Sequence, residues 1–179
     1  MSGRSRGRRC SQMKDKHVTL TLNGRKATLI VEDRTTLLNA LREYGVTSLK
    51  RGCEEGECGA CTVIINGLPQ KSCLVLAREA EGAEVLTVEG LVKKGRLHPI
   101  QQAFVDEGAI QCGYCTPGMV MTTYALLKKN PSPSEEEIKE ALSGNICRCT
   151  GYLSIIRAVK KSAAILSGKV KGGELREDD

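Results

Sequence analysis

The stretch Gln111-Cys112-Gly113-Tyr114-Cys115-Thr116-Pro117-Gly118 sets two thiols two residues apart, directly ahead of a proline that fits a helix start. The thiols able to complete a four-sulfur set with them lie in Asn145-Ile146-Cys147-Arg148-Cys149-Thr150-Gly151-Tyr152. A C-x2-C pair and a distant C-x-C pair describe two half-sites that folding must bring together. Upstream, Cys53, Cys58, Cys61 and Cys73 form a second array, so eight of the nine cysteines sort into two groups of four.

The chain around these arrays has 179 residues, enough for one domain or two small ones. Aromatic residues make up only 3% and there is no Trp, so the core has to come from Leu, Ile, Val and Ala, with help from bound cofactors. In a secreted protein nine cysteines would suggest disulfides. No apolar stretch is long enough for a signal peptide or a membrane helix, which points to a reducing, cytoplasmic compartment where clustered thiols bind metal. The net charge of +6 is concentrated at the beginning, where Arg4, Arg6, Arg8, Arg9, Lys14 and Lys16 face only Asp15. A basic tail of this kind reads as a solvated terminus rather than a nucleic-acid site. Cys10 within it is expected to be a free thiol.

From Lys16 the pattern becomes periodic. His17 to Leu22 alternates as a strand, Asn23-Gly24 is a hairpin turn, and Arg25 to Val31 returns. Thr35 or Thr36 caps a helix that carries Leu37, Leu38 and Leu41 on one face and runs to Tyr44. Periodicity then lapses over Arg51 to Cys61, where Gly52, Gly56 and Gly59 let the backbone wrap and turn its N–H groups inward. Thr62 to Ile65 and a short run to Cys73 form a second hairpin around Asn66-Gly67, and Glu84 to Val88 is the last strand. Past Glu89 the reading is helical. Pro99 opens one helix, Pro117 a second, Ser134 with Glu137 caps a third, and Leu153 to Leu166 is the fourth. The second helix is apolar nearly all round and is expected to be central. In the fourth, Ile155, Ile156, Val159, Ala163 and Leu166 pack, while Lys160 and Lys161 face outward. The expected organisation is α+β: a basic tail over 1–14, a sheet domain over 15–89, a four-helix domain over 90–168 and a polar tail over 169–179.

Spacing decides what the thiols bind. Cys53, Cys58 and Cys61 with the later Cys73 reproduce the plant-type C-x4-C-x2-C…C arrangement of a [2Fe–2S] cluster. Zinc competes for any C-x2-C, but a zinc ribbon needs a second such knuckle, and Cys73 has no neighbouring cysteine. In the second array, the short arc of C-x-C suits two irons better than one tetrahedral zinc. Helices opening after each half-site turn positive dipole ends toward an anionic cluster, and Arg148 adds a positive charge beside it. Neither histidine reads as a catalytic base: His17 opens a strand, and His98 stands before Pro99 in a packing or capping position.

Together, Cys112-Gly113-Tyr114-Cys115-Thr116-Pro117-Gly118 and Asn145-Ile146-Cys147-Arg148-Cys149-Thr150-Gly151-Tyr152 closely resemble the small iron–sulfur subunit of the molybdenum hydroxylases, the xanthine oxidase family. That family includes aerobic carbon monoxide dehydrogenases, aldehyde oxidoreductases and bacterial oxidoreductases of nitrogen heterocycles. The resemblance covers about residues 15–167. It implies a plant-type ferredoxin-like β-grasp domain followed by a helical [2Fe–2S]-binding domain. It assigns Cys53, Cys58, Cys61 and Cys73 to one cluster and Cys112, Cys115, Cys147 and Cys149 to the other. It brings Gln111 and Cys149 toward a molybdopterin held by another subunit.

The resulting expectation is an electron-transfer subunit of a multi-subunit oxidoreductase, without catalytic residues of its own. Electrons would pass from a large molybdopterin-binding subunit through two [2Fe–2S] clusters to a medium FAD-binding subunit, in a hetero-oligomer without nucleic acid or a membrane span. A free-standing two-cluster ferredoxin is the nearer alternative. A zinc-stabilised nucleic-acid-binding module is the more distant one.

Overall fold

The computed structural model describes residues 16–168. The tails over 1–14 and 169–179, and Cys10 with them, lie outside the described residues.

Two hairpins frame the first half. Strands β1 (Lys16–Leu22) and β2 (Arg25–Val31) pair antiparallel with Leu22 opposite Arg25, so the loop has two residues. Asn23 and Gly24 hold φ of 51° and 79°, the doubly positive turn that matches strand twist. Strands β3 (Thr62–Ile65) and β4 (Leu68–Lys71) repeat the device with Asn66 and Gly67. Strand β5 (Glu84–Leu86) lies parallel to β1 and antiparallel to β3, giving a five-stranded mixed sheet in the order β2-β1-β5-β3-β4. Helix α1 (Leu37–Glu43) starts where the Thr36 side chain accepts the Asn39 N–H. Leu37, Leu38 and Leu41 pack with Val18, Leu20, Leu29 and Val63 in one core.

The last strand ends earlier than the expected Val88. Asn23 captures Thr87: its side-chain oxygen accepts the Thr87 N–H (2.8 Å) and its amide donates to the Thr87 hydroxyl (3.0 Å). The chain leaves the sheet there and makes a 3-10 turn over Val88–Leu91.

The second half has four helices: α2 (Pro99–Asp106), α3 (Thr116–Lys129), α4 (Glu135–Leu142) and α5 (Leu153–Leu166). His98 is the N-cap of α2, its Nδ1 accepting the Ile100 N–H, so its expected capping role holds. Ser134 and Glu137 form the expected capping box of α4. Phe104, Met119, Met121, Ile138, Ile155 and Val159 build a second core. Ile64 of β3 joins it, whereas Val63 and Ile65 face the first core. All four residues of β3 are buried because α1 lies on one side of the sheet and α3 on the other. Leu166, expected on the packed side of α5, is exposed in the last turn, past Ala163 where packing against the core ends.

Lys161 departs from its expected outward position. Its Nζ lies 3.1 Å from Asp106 and 3.4 Å from Glu107, at the end of α2. Lys160 does project outward, to a surface pair with Glu135. Lys161→Glu would put a third negative charge in the partly buried group, at a cost of about 2 kcal/mol. Thermal melting should show a clear loss for Lys161→Glu and little change for Lys160→Glu.

Candidate metal centres

The first four thiols converge on the loop between α1 and β3. Glu54, Gly56 and Gly59 all take positive φ, and the curled backbone presents N–H groups to sulfur. Cys53 Sγ accepts from the backbone N–H of Glu55 (3.4 Å), Glu57 (3.3 Å) and Cys58 (3.3 Å), and Cys58 Sγ accepts from Cys53 (3.5 Å). These donors favour a thiolate, and the Cys58 and Glu55 amides lead in bringing Cys53 down to about 7. Cys61 and Cys73 are buried and tied together, the Cys61 carbonyl accepting from the Ser72 hydroxyl (2.8 Å) beside Cys73. Burial, then the neighbouring Cys61, pushes Cys73 up to about 11. Four thiols held close in this way become thiolates when a cation shares them. The loop has no room to spare: a Cβ on Gly52 would lie 2.6 Å from Cys58 Sγ.

The second four come from two segments, as their spacing requires. Cys115 is the N-cap of α3, and Tyr152, with φ 68°, is the N-cap of α5. Cys149 Sγ and Cys112 Sγ are 3.5 Å apart at the exposed rim, and Cys147 is buried. Burial, then Cys147 and Cys112, pushes Cys115 up to about 12. Burial also acts upward on Cys147, but the Thr150 hydroxyl, 3.2 Å away, and nearby N–H groups outweigh it and bring that thiol below its ordinary value. The Thr116 hydroxyl, next to Cys115, is buried without a protein partner. An unpaired hydroxyl costs about 1–3 kcal/mol, and a cluster sulfur would satisfy it.

Among the described residues, no three His, Cys, Asp or Glu side chains meet as the ligands of a single metal ion would. A two-iron cluster divides four thiolates between two irons, so one common focus is not needed. The donor set of four sulfurs, inward N–H groups and the glycine cradle fits such a cluster.

Gln111 is exposed immediately before Cys112, at the same end as Cys149. Three further residues matter that spacing alone did not single out. Tyr152 accepts the Cys147 N–H on its hydroxyl (2.9 Å), and Thr150 accepts the Tyr152 N–H (3.2 Å), which closes the C-x-C loop on itself. Asn145 reaches across to the first loop, its amide donating to the Gly59 carbonyl (3.1 Å). The two loops also meet directly, the Ile146 N–H donating to the Cys58 carbonyl (2.9 Å) and the Tyr114 hydroxyl to the Arg51 carbonyl. All three residues sit inside or beside the quoted motifs, but nothing local marks their partners.

Comparisons with known proteins agree with this geometry. Residues 20–87 match the family of the 2Fe-2S iron-sulfur cluster binding domain, and residues 87–160 that of the [2Fe-2S] binding domain. The chain is 52% identical over 144 residues to the nicotinate dehydrogenase small FeS subunit of Eubacterium barkeri, covering 80% of this chain and 92% of that one. The structure of quinoline 2-oxidoreductase from Pseudomonas putida 86 superposes with a TM-score of 0.82 at 45% identity, over 87% of this chain and 99% of the matched one. The aldehyde oxidoreductase of Desulfovibrio desulfuricans ATCC 27774 gives 0.86 at 41% identity, over 91% of this chain but only 18% of that longer one. The chain therefore belongs to the small iron–sulfur subunits of the molybdenum hydroxylases.

Proposed function

We propose that Cys53, Cys58, Cys61 and Cys73 hold one [2Fe–2S] cluster and that Cys112, Cys115, Cys147 and Cys149 hold the second, in domains spanning 15–89 and 90–168. The observation that supports this reading is the pairing of the thiols, Cys53 with Cys58, Cys61 with Cys73, Cys115 with Cys147 and Cys112 with Cys149, on two loops that touch. When bound, each cluster takes up and gives up one electron at a time. The chain's own part is to hold both sets at a fixed separation. It aims N–H groups at Cys53 and a hydroxyl at Cys147, and it buries Cys61, Cys73 and Cys147 from water. No residue here is given a catalytic role, and the chain serves its oxidoreductase by electron transfer.

The partners we assign are a large molybdopterin-binding subunit and an FAD-binding subunit, in a hetero-oligomer. Ile110, Tyr114, Ile146 and Leu153 are exposed around the second thiol set, an apolar surface that suits a protein partner. The same fold occupying 18% of a longer oxidoreductase chain supports the view that it works as one part of a larger assembly. Gln111 and Cys149, exposed at that end, are the residues we assign to contact with the molybdopterin. No helix among the described residues is long and apolar enough to cross a membrane, and we place the protein in the cytoplasm.

Iron and sulfide analysis of the purified chain tests the reading. About four irons and four sulfides per chain, a reddish-brown colour and two paramagnetic signals on reduction are expected. One zinc per chain with no visible absorbance would overturn it.

A further inference from the structure

The two thiol loops belong to different halves of the chain, yet they share one carbonyl. The Gly59 oxygen, between Cys58 and Cys61, accepts the Thr62 N–H (3.1 Å), the Thr62 hydroxyl (2.7 Å) and the Asn145 amide (3.1 Å). The first two are local, and the third crosses from the helical half. On its other side the Asn145 side-chain oxygen accepts the Thr122 hydroxyl of α3 at 2.8 Å. Its backbone is engaged as well, the N–H donating to Leu142 (2.9 Å) and the carbonyl accepting from the Tyr152 hydroxyl (3.4 Å). Asn145 is only 5% exposed, so none of these bonds competes freely with water.

The amide chemistry is specific to this position. The side chain has to donate to one fixed carbonyl and accept from one fixed hydroxyl at the same time. An ionised Asp could accept from Thr122 but offers Gly59 no donor, and Ala could do neither. Two residues along, Cys147 carries a thiol of the second set, and one residue before Gly59, Cys58 carries a thiol of the first. A displacement of this clamp would therefore be transmitted to both sets through very short stretches of backbone.

We propose that Asn145 is a positioning residue that fixes the separation and mutual orientation of the two iron–sulfur centres. This proposal rests on the reading that both thiol sets bind [2Fe–2S] clusters. Its consequence is a single, well-defined magnetic interaction between the two reduced centres, because dipolar coupling falls with the cube of their separation.

The test uses the full chain, loaded with iron and fully reduced, and follows that interaction as splitting or as enhanced spin relaxation at low temperature. Wild type should show one defined interaction. Asn145→Ala with unchanged iron and sulfide should keep both signals but lose the defined splitting to broadening, as the separation becomes a distribution. A merely stabilising role would lower the melting temperature and leave the splitting as it was, and that result would overturn the proposal. Where Asn145→Ala loses iron, Asn145→Asp decides instead. Measured at a pH where its carboxyl is ionised, it keeps the size of the side chain and its bond from Thr122 but turns a charged acceptor toward the Gly59 carbonyl in place of the donor, so an unaltered splitting in it overturns the proposal equally. Iron-replete wild type with two non-interacting signals would also overturn it, while wild type without two cluster signals would instead refute the two-cluster reading beneath it.

Discussion

Cys115→Ser is expected to remove one iron–sulfur centre and leave the other in place, and Cys58→Ser to do the reverse. In the proposed assignment each thiol serves one set only. Cys58 lies in the loop that feeds β3, and Cys115 is the N-cap of α3. The two halves also have separate cores, joined through Ile64, so damage to one set need not unfold the other. The contact between the loops survives both changes, since the bond from Ile146 runs to the backbone carbonyl of Cys58 and not to its side chain. Iron and sulfide should each fall from about four to about two per chain, with one paramagnetic signal lost and a different one in each variant. Equal loss of both signals in folded protein would contradict the assignment of the thiols to two independent sets.

Gly118→Ala should be strongly destabilising. A Cβ at that position would stand 2.1 Å from the Gly59 carbonyl oxygen, a backbone atom. Gly59 has no room to retreat, because its own Cβ position is 2.4 Å from the Gly144 carbonyl and its oxygen is held by three donors. Relief therefore requires the helical half to move away from the sheet. Overpacking of this kind costs about 3 kcal/mol, with a fall in melting temperature of about 10 °C for a chain of this size. Gly113→Ala is the control. Its φ is 80°, but nothing lies within 4 Å of its added Cβ, so only the backbone strain of about 1 kcal/mol applies. Parallel melts of the two variants settle the matter, and similar losses would show that the contact of Gly118 with Gly59 has slack.

The chemistry of this protein was legible because it is written in short-range signals. Eight cysteines and their spacing identify two four-thiol sets without reference to any other part of the fold. Asn23-Gly24 and Asn66-Gly67 specify both hairpins, since few other pairs adopt two positive φ values in succession. Thr36, His98 and Ser134 mark helix starts by bonding amides two or three residues ahead. The buried run Thr62–Ile65 shows no alternation and already fits a strand covered on both faces.

Which elements cover those faces was decided only by tertiary structure. Nothing near Lys161 in sequence reveals that Asp106 and Glu107 will face it, and nothing near Thr87 reveals that Asn23 will end the strand. The seam between the halves was the least legible feature, because it is made largely of backbone. Gly59 and Gly118 act through the atoms they lack, and the Cys58, Gly59 and Gly144 carbonyls belong to a peptide unit that every residue shares. The sequence by itself determined the two arrays of four cysteines and the two [2Fe–2S]-binding domains that carry them. Their placement relative to one another follows from close approach of main chain to main chain, which no side-chain pattern encodes.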